Sequence, residues 1–167
     1  MIDLSKYCRI EKNYVFFLKG PLSQWWKSNM TEFNIKYNCC EQYMMYHKAL
    51  LFNDVITANE IIMSSDPAEQ KDLGRKVKNF SQTLWDEYKN EIVERGNYLK
   101  FSQNDNMKQV LLETENRIIV EANGYDRIWG IGMFDDDPNL FNTSLWGENL
   151  LGKALMRVRD EIKNKKN

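Results

Sequence analysis

The sequence predicts an α+β fold that is predominantly helical, and three observations support that class. Most of the chain divides into segments with apolar residues at helical spacing, several of them preceded by residues that cap helix N-termini. Only a few short runs carry the β-branched and aromatic residues typical of strands. The 167 residues include three prolines and contain no repeat, Gly/Ser-rich linker or low-complexity tract. This continuity predicts one compact domain over residues 1–167.

The predicted strands are short. Residues 14–18 are apolar and β-forming, and they end at the turn signal Gly20-Pro21. Residues 31–37 form a second candidate strand. Residues 117–121 have the β-branched composition of a buried strand.

Several predicted helices begin at start signals. The first covers residues 38–52, with Asn38 as its N-cap and Glu41 three residues later, at capping-box spacing. Another opens at Asp66-Pro67, a capping residue followed by a first-turn proline. The helix that begins at Asp66 is predicted to end at residue 77. The remaining helices are predicted over residues 54–63, 81–100, 102 or 104 to 112, and 147–163. The basic tail at 163–167 predicts a solvated, frayed terminus.

The composition indicates the compartment and the kinds of partner expected for the protein. The net charge is −1, so electrostatics gives no indication of a polyanion-coating protein, although a nucleic-acid substrate is not excluded. No leader-like or membrane-spanning apolar run occurs, which predicts a cytoplasmic protein without a membrane partner. The three cysteines, with Cys39 next to Cys40, fit a reducing compartment. The sequence does not indicate an oligomeric state.

Metal and cofactor chemistry is not expected. The single histidine, His47, and the cysteines do not form a zinc ligand set. A Ser-His-Asp hydrolase would need His47, and no nucleophile-elbow motif accompanies it. The acids Asp135 to Asp137 can bind a divalent cation, but acid-rich loops are mostly solvated.

Glu41 is the most informative residue of the first helix. At helical spacing it shares an apolar face with Met44, Met45 and Lys48. A carboxylate in such a stripe must be paired, hydrogen-bonded or protonated, and carboxylates kept there are often functional. The alternative is that Glu41 only closes a capping box with Asn38 while Lys48 extends to solvent.

A second candidate is the segment Asp126-Arg127-Ile128-Trp129-Gly130-Ile131-Gly132, which follows the last predicted strand. An acid, a flat aromatic ring and glycines that admit close backbone approach suit a site loop. A tight turn with a core Trp explains the pattern equally well. Elsewhere, Gly74-Arg75 near a helix end can place a guanidinium on a phosphate, although an isolated pair is a weak signal.

Several motifs in order resemble the NADAR (YbiA-like) family over nearly the whole chain. They are Leu22-Ser23-Gln24-Trp25, the segment from Asn38 to Asp54, Gly74-Arg75, the segment from Tyr125 to Gly132, and Trp146-Gly147-Glu148-Asn149-Leu150-Leu151-Gly152-Lys153-Ala154. Gln24 departs from the Asn common at that place, and the loop at 135–143 is long and acidic. The resemblance implies a compact, mostly helical α+β domain without a metal.

The resemblance also implies a function. Members hydrolyse N-glycosidic bonds of phosphorylated ribosylamine intermediates of riboflavin synthesis, or of ADP-ribose attached to a nucleobase. The partner is then a small nucleotide-like molecule or an ADP-ribosylated nucleic acid.

The implied catalytic residues are Glu41 and Asp126, in either order of roles. The binding candidates are Trp129, Gly130, Trp85, Lys48, Arg75 and Asn149, with Trp25 and Lys100 as further possibilities. The competing interpretations are a binding module for ADP-ribose or a nucleotide that does not cleave its ligand, and a structural interaction protein.

Overall fold

A computed structural model describes residues 2–165 of the chain. The helices and strands follow in chain order as β1 (Cys8–Ile10), β2 (Tyr14–Phe17), β3 (Met30–Glu32), β4 (Ile35–Tyr37), α1 (Cys40–Leu51), α2 (Val55–Met63), α3 (Pro67–Arg75), α4 (Gln82–Gln103), α5 (Asp105–Glu113), β5 (Ile118–Glu121) and α6 (Leu150–Asn164). Short 3₁₀ turns occupy Leu4–Lys6 and Thr143–Leu145. The predicted class, a predominantly helical α+β fold with a few short strands, is confirmed.

The chain forms two compact units, one of residues 24–104 and one of the residues before and after that range. The second unit is built on a three-stranded sheet in the order β1-β2-β5. Strand β2 is antiparallel to β1 and parallel to β5, with Tyr14 opposite Ile118. Helix α6 packs against β5. The core below the sheet contains Phe16, Val120, Ala122, Ile131 and Leu140.

The unit of residues 24–104 is helical, with one β-hairpin. Helix α1 packs against α2, α3 and α4. The hairpin β3–β4 contributes Met30 and Tyr37 to a cluster that also holds Cys40, Tyr43 and Leu99. The first six residues of α1 are all buried, so the N-terminal half of this helix lies in the interior of the unit.

The predicted single strand over residues 31–37 is wrong, because this segment forms the two strands of the hairpin. Phe33 and Asn34 turn the chain with φ of 48° and 65°. Two successive residues with positive φ form the type of two-residue hairpin turn whose twist matches that of the flanking strands. Phe33 is a poor signal for that turn, since bulky residues rarely adopt this conformation.

The predicted capping box at the start of α1 is also wrong. Cys39, not Asn38, is the N-cap residue, and its side chain makes no capping hydrogen bond. The Asn38 backbone N–H donates to Oε1 of Gln42 at 2.7 Å. The Asn38 side chain instead donates to the Ser64 carbonyl, at 3.3 Å. Glu41 therefore lies in the first turn for a reason other than capping.

Three other predicted helix starts are confirmed, whereas the last helix begins at Leu150 and not at residue 147. The side chains of Asp54, Asp66 and Ser81 accept hydrogen bonds from first-turn N–H groups of α2, α3 and α4. At the C-terminus the predicted frayed tail is wrong for Lys163, which lies in α6 and donates to the Glu115 carbonyl at 2.7 Å. Residues 166 and 167 of the predicted tail lie outside the described residues. Within residues 2–165, no helix is both long enough and apolar enough to cross a bilayer.

Candidate active site

Glu41 is a buried acid of the helical unit, with 7% of its surface exposed. Burial raises the pKa of its carboxyl to about 7, because the charged form loses water. Three cations act in the opposite direction and lower that pKa: Lys71 most strongly, then Arg75 and Lys48. Near neutral pH, Glu41 therefore exchanges between its acid and its carboxylate form.

Trp25 contacts Glu41 directly. Its side chain donates a hydrogen bond to the Glu41 carboxyl group, which favours the charged form. Lys71 Nζ lies 5.8 Å from the centre of the Trp25 ring, within the range of a cation–π contact. Trp25 is 44% exposed, so one part of its indole reaches solvent while the N–H serves the buried acid.

Gln24 holds this segment on the first turn of α1. Its carbonyl accepts the Glu41 backbone N–H at 3.0 Å. Its side-chain oxygen accepts from Asn97 Nδ2 at 2.8 Å, and Asn97 is fully buried on α4. The Gln24 amide thus ties the Trp25 segment to α4, while its carbonyl ties the same segment to α1.

Lys48 is held beside the same site on α1. Its Nζ donates to the Gly74 carbonyl at 2.8 Å and lies 5.5 Å from the Trp85 ring centre. Burial lowers the pKa of Lys48, and Glu41 offsets part of this. Trp85 is 7% exposed, so its ring supports Lys48 and offers little surface for stacking on a ligand.

Arg75 and Lys100 are placed very differently. Arg75 lies at the end of α3 with its side chain exposed, and it pairs with Asp72 at 3.1 Å. Lys100 is fully buried beside the thiols of Cys39 and Cys40, and burial lowers its pKa. An exposed guanidinium can reach a phosphate, whereas Lys100 as placed here cannot.

The segment after β5 belongs to the sheet unit. Oδ1 of Asp126 accepts the backbone N–H groups of Ile128 at 2.8 Å and Trp129 at 2.9 Å. This arrangement is an Asx turn, in which the side chain closes the loop that follows it. Trp129 is half-buried. Asp126 therefore shapes the backbone of the segment that carries Trp129.

Gly130 and Gly132 are required by this loop for different reasons. A Cβ at Gly130 would lie 2.8 Å from the Glu121 carbonyl oxygen, so the chain approaches β5 too closely for a side chain. Gly132 has φ of +72°, a left-handed conformation that favours glycine. Both glycines are explained by the backbone path.

The side chain of Asn149, at the start of α6, forms hydrogen bonds with the backbone of β5. Its Oδ1 accepts the Glu121 N–H at 3.0 Å, and its Nδ2 donates to the Ile119 carbonyl at 2.9 Å. The residue is 5% exposed and has φ of 52°. Because both ends of the amide bond the strand, the contacts of Asn149 fit a positioning role for the backbone around it.

His47 lies in an aromatic cluster. Its ring is 4.2 Å from the Tyr43 ring centre, and its Nε2 lies 3.3 Å from the Tyr37 hydroxyl. Burial lowers its pKa. These contacts fit a structural role for His47 in the aromatic cluster. Among residues 2–165, no three His, Cys, Asp or Glu side chains are grouped to hold a metal ion, and this includes the acids at 135–137.

The structure thus presents the predicted residues in two groups, each within one unit. Glu41, Lys48, Arg75 and Trp85 belong to the helical unit, and sequence reasoning missed Lys71 there. Asp126, Trp129, Gly130 and Asn149 belong to the sheet unit. Lys71 gave no signal in the sequence, because its relation to Glu41 depends on the packing of α3 against α1.

Comparison with known proteins identifies the class. A model of the NADAR domain matches residues 15–163. "N-glycosidase R617" of Acanthamoeba polyphaga mimivirus is 46% identical over 145 residues, which cover 83% of this chain and 85% of the viral protein. "Riboflavin biosynthesis protein PYRR, chloroplastic" of Zea mays is 32% identical over 107 residues, covering 62% of this chain and 16% of the plant protein.

A solved structure gives the same answer for the fold. The NMR structure of the Escherichia coli protein YbiA has a TM-score of 0.76 at 21% identity, and the match covers 95% of this chain and 89% of that one. Fold and relatives together define an enzyme of the N-glycosidase class. The chain belongs to the NADAR domain family. The predicted family, fold class and enzyme class are confirmed.

Proposed function

We propose that this enzyme hydrolyses the N-glycosidic bond of a phosphorylated ribosyl compound, with Glu41 as its catalytic carboxylate. The observation that carries this proposal is the placement of Glu41: a buried acid that receives a hydrogen bond from Trp25 and lies near three cations, Lys48, Lys71 and Arg75. A small nucleotide-like molecule with negative phosphate groups is the kind of ligand that such surroundings attract.

The chemistry follows from the charge that develops during the reaction. Breaking a C–N glycosidic bond places positive charge on the anomeric carbon of the sugar. A carboxylate beside that carbon stabilises the transition state more than the ground state. A pKa of about 7 lets Glu41 also exchange a proton with water near neutral pH.

Asp126 is the second acid of the proposal. We assign to it the binding of the ribose hydroxyls, or the complementary acid–base role. The two hydrogen bonds from Ile128 and Trp129 both reach Oδ1, so the geometry of that oxygen is fixed. Trp129 is proposed to stack on the leaving heterocycle, since the residue is half-buried and its side chain is a large flat ring. Gly130 contributes to this proposed site by letting the chain pack against β5, which sets the backbone path after Trp129.

Two substrate classes fit this proposal, and the names of the relatives favour the first. The first is a ribosylamine phosphate of riboflavin synthesis, supported by the name of the plant relative. The second is ADP-ribose attached to a nucleobase, either free or in a nucleic acid. The phosphates of either class would meet Lys48, Lys71 or Arg75.

The test is an incubation of the pure protein with each substrate class, with products weighed by mass spectrometry. We expect release of the free base from one class, and we expect Glu41→Gln to lower the rate by about 10²–10⁴-fold. A folded Glu41→Gln variant that keeps the wild-type rate would exclude the catalytic role. Tight binding by calorimetry, without released product from either class, would support the binding module instead.

A further inference from the structure

Trp25 is the neighbour that forms a hydrogen bond with the acid of the proposed site. Trp25 donates a hydrogen bond from its side chain to the Glu41 carboxyl group. The indole nitrogen is the only hydrogen-bonding atom of a Trp side chain, and it is a donor only. The bond therefore exists with either protonation state of Glu41, and it is stronger with the carboxylate.

Gln24, the residue before Trp25, is held by three contacts. The Gln24 carbonyl binds the Glu41 N–H, so residues 24 and 41 are fixed to each other through the main chain. The Gln24 side chain accepts from Asn97 and lies 4.0 Å from the Met44 sulfur. The segment that carries Trp25 is thus attached to α1 and α4, which pack against each other within the same unit.

From these contacts we propose that Trp25 is a positioning residue for Glu41: its indole N–H fixes the direction of the carboxylate and stabilises its charged form. This inference deepens the proposed function, and its catalytic consequence rests on that function. Lys71, over the indole ring, adds positive charge on the same side.

Trp25→Phe removes the N–H and keeps an aromatic ring beside Lys71. Trp25→His restores a ring N–H and tests for rescue. Trp26→Phe removes an indole N–H at the neighbouring residue and serves as the matched control. The first measurement uses protein labelled with ¹³C at the Glu carboxyl carbons, in which the Glu41 signal is the one that Glu41→Gln removes.

In the titration of these signals, loss of a donor to the charged form makes ionisation harder, so the midpoint must rise. We expect the Glu41 midpoint to lie about one pH unit higher in Trp25→Phe, and to return to or below the wild-type value in Trp25→His. Trp26→Phe should titrate as the wild type does. An unchanged midpoint in Trp25→Phe would overturn the inference.

If Trp25→Phe does not fold, the contact is tested in the wild type by following the ¹⁵N signal of the Trp25 indole N–H through the Glu41 titration. We expect that signal to shift with the Glu41 midpoint. An indole shift that does not follow the Glu41 midpoint would then overturn the inference.

The second measurement is the pH profile of kcat. A carboxylate that acts in its charged form gives an acid limb at its pKa, so Trp25→Phe should lose about fivefold in kcat at pH 7 and regain most of it at pH 9. An equal loss at both pH values would mean that Trp25 is merely structural. If Glu41→Gln retained full activity, the proposed function would be wrong. The ¹³C titration would still test the contact between Trp25 and Glu41, because it does not depend on activity.

Discussion

Glu41 and Asp126 are both acids of the proposed chemistry, but their surroundings differ in kind. Glu41 is buried on a helix, and the groups that act on its charge are side chains: one indole and three cations. Asp126 is half-buried in a loop, and its Oδ1 accepts two backbone N–H groups of its own segment. The Asp126 carboxylate stabilises local structure, whereas the position of Glu41 costs free energy at neutral pH, because burial disfavours its charge.

This difference in surroundings indicates that Glu41, and not Asp126, is the acid whose position lowers the stability of the fold. The loop from Asp126 to Gly132 would need an Asx-turn acceptor even without any reaction. Glu41 has no such structural function, because Gln42 accepts the Asn38 N–H that the predicted capping box assigned to Glu41.

The largest expected effect concerns the pH dependence of stability. An unfolded Glu ionises near 4.5 and folded Glu41 near 7, so between these values the folded state binds more protons and stability falls as pH rises. Glu41→Gln removes this loss. Urea unfolding should find the variant more stable than the wild type by on the order of 3 kcal/mol at pH 8, and equally stable at pH 4.

Glu113→Gln, at an exposed residue of α5, is the control for that experiment and should leave stability unchanged within about 0.5 kcal/mol at both pH values. A Glu41→Gln variant that is destabilised at pH 8 would show that the charged form is compensated within the folded protein. The contrast between the two acids would then disappear.

The next effect concerns Asp126. Asp126→Ala removes the acceptor of two backbone N–H groups, and we expect a loss of about 2 kcal/mol in the free energy of unfolding, at about 1 kcal/mol for each bond. Asp126→Asn keeps a side-chain oxygen at the same place and should lose much less. Urea unfolding of both variants measures the difference.

Activity separates the two roles of Asp126. If it acts on the substrate, as proposed, Asp126→Asn should lower kcat/KM at least tenfold while its stability stays near that of the wild type. If Asp126→Asn proves fully active, the acid is needed only for the Asx turn.

The helix starts were largely predictable because their signals are local. Asp54, Asp66 and Ser81 each accept hydrogen bonds from N–H groups two or three residues ahead, and such spacing is visible in a sequence. The capping box at Asn38 failed because distant partners compete for the same groups: the Asn38 side chain donates to the Ser64 carbonyl, 26 residues away in the chain.

The candidate site was predictable in the same uneven way. The burial of Glu41 followed from the helical spacing of its apolar neighbours, Met44 and Met45, and all three are buried. Its hydrogen bond from Trp25 and its attraction to Lys71 join segments that are distant in the chain, so no spacing rule reaches them. The alternatives for the Asp126 segment, site loop or tight turn, are not exclusive, because the Asx turn also fixes the backbone N–H of Trp129.

The smallest expected effect concerns Trp129, whose backbone and side chain have separate partners. The Trp129 N–H donates to Asp126, and the carbonyl accepts the Leu151 N–H at 3.1 Å, so Trp129→Ala keeps both bonds. Loss of the ring should weaken substrate binding about tenfold, the weight of one base–aromatic stack, with the fold retained by circular dichroism. Calorimetry with the catalytically impaired Glu41→Gln background measures this without turnover. Trp129→Phe keeps a flat ring and should recover most of the affinity, whereas equal affinities for Ala and Phe would count against stacking and leave Trp129 as a packing residue of its loop.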